Sequence, residues 1–433
     1  MPPQTTHPDP AARRVVITGI GAVTPLGSGR DGLWCGVRRA RSAVRPLTRF
    51  DATPFKSRVA AQIDDFDPLA LLDARTARRM DRYSQFAVVT ALQALADAGL
   101  EIADSCRARG GVYLGSALGG LAFAEGEHVQ FQAGGIRAVN PILALSVFGA
   151  AASANVAMAL GLRGPNMTNA NSCASGALAI GQAFDLIRRG EAAFMLAGGV
   201  EVPLAPLIFG AFALIGALSG HNATPETASR PFDRTRDGFV MAEGAATLLL
   251  EDREHALARG AHIYGEITGF ATTTDAYHMT APLPSGAEAA RVMRGALADA
   301  GITPAQVGYI NAHGSGTPLG DRVEALALRQ VFGDDLGGIP VSGTKGMHGH
   351  ALGASGAMEA AICALCLEHG WLPPSINIAT PDPECDLPFI GGDGLERRVD
   401  YILSNSFGFG GLNVGLVFAR YRDSADSSGS AVS

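Results

Sequence analysis

Two successive series of strand-like and helix-like segments run along the chain. The first includes the apolar runs Arg14–Gly21 and Phe194–Gly199, which end in glycine as buried strands often do. A second series starts at Ile263–Phe270 and continues with the helix-like Ala287–Ala300 and the strand-like Val307–Ala312. This alternation predicts an α/β fold, and its restart predicts a chain built from two similar halves.

The halves are predicted to span residues 13–261 and 262–421. Residues 1–12 and 422–433 are rich in proline, serine and aspartate, a composition that predicts disordered ends. Of the 433 residues, 47% are apolar and 17% are charged, which favours a compact globular protein. The net charge of −7 and the lack of any Lys/Arg-rich run argue against a nucleic-acid partner.

Two uncharged stretches, Ala138–Leu162 and Val202–Pro225, are long enough to cross a bilayer. Because polar residues interrupt both and alanine and glycine dominate them, we expect buried elements or a subunit interface instead, and no membrane partner. The first 14 residues lack the apolar core of a signal peptide. The six cysteines are scattered, unlike a disulfide framework, and these features together predict a reduced, cytoplasmic setting.

Cys173 lies in the small-residue turn Asn171–Gly176, which opens an apolar, alanine-rich stretch. At the first turn of a helix, the positive end of the helix dipole would stabilise the thiolate, the form that attacks carbonyl carbons. A cysteine among small residues is more often a buried structural residue, so this turn alone does not establish a nucleophile.

Two histidines, His313 and His350, lie in glycine-rich loops after predicted strands, where a rigid sheet commonly holds active-site loops. Together with Cys173 they predict an acyl-transfer centre. The cysteine would carry an acyl thioester, and the neutral imidazoles would donate hydrogen bonds to the enolate oxygen that forms as a carboxylate leaves as CO2. The segment Asn405–Asn413, with its Phe-Gly-Phe-Gly core, is predicted to supply a backbone donor for the thioester oxygen and rings that gate the pocket.

The order of these motifs resembles that of the elongating β-ketoacyl-acyl-carrier-protein synthases (synthase II-like), which include the ketosynthases of type II polyketide systems. The resemblance covers residues 14–420 and implies a thiolase-like fold, in which two duplicated αβαβα halves form a layered α/β/α/β/α sandwich with the site between them. The motifs that carry it are Ser172–Gly176, Ser229–Asp233 with Arg236–Phe239, His313–Pro318, Lys345–Ala354 and Phe407–Asn413.

The resemblance implies a role for each matching residue. Cys173 takes the acyl group, and His313 and His350 support decarboxylation of malonyl-acyl carrier protein. The N–H groups of Cys173 and Phe409 form the oxyanion hole, and Phe409 also gates the acyl pocket. The remaining positions are Lys345, which pairs with Glu359 for structural support and polarises the site, and the substrate-binding residues Leu118, Phe407 and Thr317.

The implied reaction is decarboxylative Claisen condensation in fatty acid or type II polyketide elongation. No metal or organic cofactor is expected, because the substrates arrive on the phosphopantetheine arm of acyl carrier protein. Relatives are dimers, so a homodimer and a heterodimer with a chain-length-factor-like subunit both stay open. Two other functions also stay open: a non-elongating chain-length-factor-like subunit, and a thiolase or acyltransferase that uses coenzyme A.

Four arginines at helical spacing predict a basic helix face that either is simply solvated or docks an acidic carrier protein. They are Arg75, Arg78, Arg79 and Arg82.

Several positions depart from the family, among them His348, where threonine or an apolar residue is usual, Gly346, where serine is common, and Ala242, where glycine is usual. These departures weaken an assignment to housekeeping fatty-acid synthesis and leave a specialised pathway open. The spacing of His348 to His350, and the Cys363–Cys366 pair, resemble metal ligands. We expect no metal site, because neither pair has further ligands nearby.

Overall fold

The computed structural model describes residues 13–422. The predicted disorder of residues 1–12 and 423–433 therefore lies outside the described residues. The strands are β1 (Val15–Thr24), β2 (Gly27–Ser28), β3 (Arg45–Pro46), β4 (Val59–Ala60), β5 (Gly110–Gly115), β6 (Asn166–Asn169), β7 (Phe194–Glu201), β8 (Gly244–Asp252), β9 (Gly265–Thr274), β10 (Tyr309–Asn311), β11 (Val341–Ser342), β12 (Trp371–Leu372), β13 (Leu395–Glu396), β14 (Tyr401–Gly408) and β15 (Leu412–Ala419). The helices are α1 (Gly29–Arg38), α2 (Ala74–Ala77), α3 (Arg82–Ala98), α4 (Leu121–Gly134), α5 (Leu143–Ser146), α6 (Ala151–Leu160), α7 (Ser175–Arg188), α8 (Pro206–Leu214), α9 (Arg253–Ala258), α10 (Ala287–Asp299), α11 (Pro318–Phe332), α12 (Lys345–His348) and α13 (Ser355–His369).

Ten strands follow the order β11-β10-β14-β15-β9-β1-β8-β7-β5-β6, and β2 pairs with β1. In the first half, β5 pairs in parallel with β6 and β7, and β8 is antiparallel to β7 and β1. The second half repeats this pattern: β10 pairs in parallel with β11 and β14, and β15 is antiparallel to β14 and β9. Each half thus has five strands in the same order, and the halves join where β1 pairs with β9. The predicted boundary at residues 261–262 precedes β9 and stays a prediction.

Three layers of helices enclose these strands. Helices α3 and α6 cover the outer face of the first half, and α10 and α11 cover the outer face of the second. Helices α7 and α13 lie between the halves and share the largest apolar core. The expected α/β/α/β/α sandwich is therefore confirmed.

Helix α13 explains what the Cys363–Cys366 spacing means. Every residue from Ser355 to Leu367 is buried, as is typical of a helix that is apolar on all sides. Both cysteines face this core as free thiols. Across residues 13–422, no group of three or more His, Cys, Asp or Glu side chains could hold a metal ion.

The two uncharged stretches form short helices. Residues 138–162 contain α5 and α6, and residues 202–225 contain α8. No helix in the described part of the chain is long and apolar enough to cross a membrane. Several large apolar side chains in and beside these helices are nevertheless exposed, among them Phe131, Ile136, Leu145, Met158, Leu207, Leu214 and Ile215.

Candidate active site

Cys173 lies on a single 3-10 turn, Ser172–Ala174, between β6 and α7. Ser172 has a φ of 52°, a left-handed conformation that residues other than glycine rarely adopt. This tight turn places the sulfur at the N-terminal end of α7, where only 7% of the residue is exposed. Strain of this kind is common at functional sites, where the surrounding structure holds it in place.

Burial opposes the thiolate that the helix end was expected to stabilise. Burial raises the pKa of the Cys173 thiol to about 11, although the Ser172 hydroxyl, the Phe409 N–H and the Lys345 ammonium oppose this rise. Burial has this effect because it removes water from the charged form. The resting group is therefore a thiol.

His313 follows β10 in a buried loop. Glu324 of α11 holds this loop, because its carboxylate accepts the N–H groups of His313 at 2.7 Å and Gly314 at 2.8 Å. Lys345 Nζ donates to the His313 carbonyl at 2.5 Å and lies 3.4 Å from His313 Nδ1. An ammonium has no acceptor, so Nδ1 accepts and the ring carries its proton on Nε2.

Lys345 and Glu359 form a fully buried ion pair, with 2.6 Å between Nζ and Oε1 and no exposed part of either side chain. Burial raises the pKa of Glu359 to about 7, and the adjacent ammonium opposes this rise. A charge on the buried helix α13 requires such a partner, because an isolated ion in a dry core is very costly. The expected pairing is thus present in the structure.

His350 lies just after α12, with its Nδ1 2.8 Å from the hydroxyl of Ser355. Its ring centroid lies 5.4 Å from that of His313. Burial, and secondly the charge of Lys345, lower the pKa of both histidines well below the ordinary value. Both rings are therefore neutral, so each can donate one hydrogen bond and accept another.

One cleft of about 720 Å³, including its open mouth, brings these groups together. Cys173, His313 and His350 all line it. The Phe409 N–H points at the Cys173 sulfur, and the Phe409 ring stacks on Phe212 with 6.3 Å between centroids. The expected substrate-binding residues Phe407 and Thr317 line the same cleft.

Leu118 is not among the residues that line this cleft, but it packs against an apolar cluster that includes two of them, Cys173 and Phe239. Glu201, at the end of β7, fixes the loop that carries it: its carboxylate accepts the N–H groups of Leu118 at 3.0 Å and Gly353 at 2.9 Å. Burial raises the pKa of Glu201 to about 7. The sequence analysis missed Glu201. The sequence did mark it in one way, because it is the only carboxylate in the otherwise apolar strand β7 and lies at its end.

The predicted basic helix face is wrong, because the chain breaks within it. Helix α2 ends at Ala77, and α3 begins at Arg82 with Asp81 as its cap. Arg82 points inward, 3.2 Å from the buried carboxylate of Glu243 and over the ring of Phe86. Three of the four arginines are exposed: Arg75, Arg78 and Arg79.

Known proteins are similar to this chain in sequence and in architecture. The family models "Beta-ketoacyl synthase, N-terminal domain" and "Beta-ketoacyl synthase, C-terminal domain" match residues 12–256 and 264–379. A 3-oxoacyl-[acyl-carrier-protein] synthase 2 from Synechocystis sp. is 45% identical over 95% of this chain and 99% of its own length.

Two solved structures have the same fold. The first is a type II polyketide synthase acyl carrier protein in complex with its ketosynthase bound to the hexaketide; it aligns with a TM-score of 0.88 and 37% identity over 95% of this chain and 100% of that one. The second is the ishigamide ketosynthase/chain length factor, with a TM-score of 0.89 and 35% identity over 95% of this chain and 100% of that one. On these matches and this geometry, the chain belongs to the β-ketoacyl synthase family.

Proposed function

We propose that this chain is an elongating ketosynthase. It joins an acyl group held on Cys173 to the malonyl group of a carrier protein, and it releases β-ketoacyl carrier protein and CO2. The observation that carries this proposal is that one cleft is lined by a buried thiol and by two neutral imidazoles. The reaction serves fatty acid or type II polyketide elongation.

In the first half-reaction, the Cys173 sulfur attacks the thioester carbon of the acyl carrier protein. The negative charge moves onto the thioester oxygen, which accepts hydrogen bonds from the N–H groups of Cys173 and Phe409. The carrier thiolate then leaves and takes up the proton that the cysteine lost. The product is a thioester on Cys173.

In the second half-reaction, the malonyl thioester loses CO2, and the electron pair of the broken bond forms an enolate. His313 stabilises the enolate oxygen through Nε2–H, the tautomer set by Lys345. Ser355 can donate to Nδ1 of His350, which leaves a second Nε2–H for the same oxygen. The enolate carbon attacks the acyl thioester, and the Cys173 sulfur leaves as a thiolate that is then protonated.

The side chains around Cys173 are apolar, which favours an apolar acyl group. Leu118, Phe212 and Phe239 pack in the cluster around Cys173, and Phe409 stacks on Phe212. This arrangement supports roles for Leu118 in lining the acyl pocket and for Phe409 in gating it. The substrates bring their own phosphopantetheine arm, so the proposed chemistry uses no separate cofactor.

The exposed apolar side chains support a dimer. Helices α4, α5 and α6 contact one another in sequence, and α8 is tied to α4 because the Leu207 N–H donates to Glu125 at 2.6 Å. Strand β6 lies beside them at the edge of the sheet. An exposed apolar face of this extent favours a second subunit. That subunit is either another copy of this chain or a chain-length-factor-like chain. The cytoplasmic setting stays a prediction.

The test supplies an acyl carrier protein thioester and then malonyl carrier protein. We expect an acyl adduct on Cys173 in the intact-protein mass spectrum, and a β-ketoacyl carrier product after the second addition. Product formed from coenzyme A thioesters alone would instead support a thiolase or acyltransferase. Absence of an adduct with every donor would support a non-elongating subunit.

A further inference from the structure

His348 is a buried titratable residue that the proposed mechanism leaves unused. It ends α12, three residues after Lys345, and is 0% exposed. Its Nε2 lies 3.1 Å from the Thr344 hydroxyl, while its Nδ1 has no hydrogen-bond partner. Leucine or methionine would occupy similar space without burying an unpaired nitrogen, so packing alone does not account for a histidine here.

The hydroxyl of Thr344 connects His348 to the catalytic ion pair. Thr344 Oγ1 donates to Glu359 Oε1 at 3.4 Å, and the same carboxylate oxygen accepts from Lys345 Nζ at 2.6 Å. A threonine hydroxyl has one proton, and the ionised carboxylate can only accept. With Glu359 ionised beside the Lys345 ammonium, the Thr344 oxygen is free to accept from His348, an arrangement that has the ring proton on Nε2.

His348 can take this position because it stays uncharged. Burial, and then the charge of Lys345, lower the pKa of His348 to about 3, against a smaller opposing effect of the Gly349 backbone. A charged ring would repel the Lys345 ammonium and disturb the ion pair. The neutral ring instead offers one directed N–H to Thr344.

We propose that His348 is a positioning residue that acts on the active site through Thr344. It orients the Glu359 carboxylate, which holds Lys345 against the His313 loop and so sets the His313 tautomer. The inference rests on the proposed function, because the decarboxylation assigned to His313 is the step that it serves.

The test compares four single variants, and one double variant of residues 344 and 348, with the unaltered chain. His348→Leu removes the donor, Thr344→Val removes the linking hydroxyl, and His348→Gln keeps an N–H that can reach Thr344. His262→Leu is the control, because the side chain of His262 is 56% exposed. Each variant is assayed separately for Cys173 acylation and for condensation.

We expect His348→Leu to lower the kcat of condensation about tenfold, because a small misplacement of a catalytic group is enough for such a loss. Acylation of Cys173 and the KM for malonyl carrier protein should stay within about twofold, because neither depends on the His313 tautomer. His348→Gln should recover most of the loss. The double variant with Thr344→Val should lose no more than either single variant.

Full condensation by His348→Leu would overturn the inference, as would a parallel loss of acylation and condensation or additive losses in the double variant. If the unaltered chain forms no product, the proposed function has failed, and the positioning inference is then decided by the thermal unfolding midpoints of the same variants. Non-additive midpoint shifts for residues 344 and 348 would support their hydrogen bond. Additive shifts would overturn it.

Discussion

The two halves build the same turn and use it differently. Ser172–Ala174 and Leu352–Ala354 are both single 3-10 turns that precede a long central helix. Their first residues have similar left-handed φ values, 52° for Ser172 and 41° for Leu352. The residues that follow are also the same, since Ala174-Ser175-Gly176-Ala177 matches Ala354-Ser355-Gly356-Ala357.

The two turns meet at the centre of the molecule in an almost symmetric way. A Cβ on Gly176 would lie 3.0 Å from the backbone nitrogen of Ala357, and a Cβ on Gly356 would lie 3.0 Å from that of Ala177. These reciprocal contacts are those of an approximate twofold axis between α7 and α13. The repeated strand order therefore extends into the active site itself.

The difference lies at the second residue of each turn, which is Cys173 in one half and Gly353 in the other. The Cys173 side chain points into the cleft. At Gly353 a Cβ would lie 2.5 Å from the Ala117 nitrogen and 2.7 Å from a carboxylate oxygen of Glu201. The fold thus supplies two equivalent turns, and the space beside each one decides which can carry a nucleophile.

The sharpest way to remove the difference is Cys173→Ala, which makes the first turn as inert as the second. We expect condensation to be abolished, because no thioester can form. Intact-protein mass spectrometry should show no acyl adduct, while the exposed-cysteine control Cys35→Ala should still be acylated. An adduct of unchanged size on Cys173→Ala would mean that the nucleophile lies elsewhere.

The second half contributes hydrogen-bond donors instead of a nucleophile, and this division predicts the next largest effect. His313→Ala and His350→Ala should each lower condensation by about 10²- to 10³-fold, the usual loss when one donor to a developing oxyanion is removed. Acylation of Cys173 should persist, because its oxyanion donors come from backbone N–H groups. Separate rates for the two half-reactions check this. Equal losses in both would contradict the assignment.

Local patterns in the sequence were enough to predict many of the elements and to single out Cys173, His313 and His350 as candidates for one site. Strands such as β7 and β9 follow the apolar runs, and Cys173 shares one cleft with both histidines. Contacts between distant segments were harder to predict. Glu201 acts on backbone groups more than 80 residues before it and more than 150 after it, so no local period marks it.

Two of the errors have equally physical causes. Helical spacing alone could not reveal that Asp81 caps a new helix and ends the predicted basic face. The helix-end argument for a thiolate considered the dipole without the loss of water around Cys173, which raises the pKa of the thiol. The similarity of the two turns was readable in the sequence, but only the structure shows that they are partners.

A smaller effect is expected from a substitution in the second turn, at Gly353. Gly353→Ala adds the Cβ that this turn has no room for, and overpacking of this kind costs about 1–3 kcal/mol of unfolding free energy. Denaturant unfolding measures this loss. Gly126→Ala is the control, because nothing lies within 4 Å of a Cβ built there. If Gly353→Ala is as stable as the control, the close approach of Glu201 does not exclude a side chain at residue 353.

The smallest effect concerns the outer surfaces of the two halves. Exposed Arg78 and Arg79 precede α3, and the equivalent helix of the second half, α10, carries exposed Arg291 and Arg294. If an acidic carrier protein docks on the half that holds the nucleophile, the double reversal of Arg78 and Arg79 to glutamate should raise the KM for carrier-bound substrate about threefold at low salt. High salt should remove the difference, because it screens exposed charges. As the control, the same reversal at Arg291 and Arg294 should leave the KM unchanged. If both double variants raise the KM equally, the carrier protein responds to the overall charge of the chain and not to a docking site on the first half.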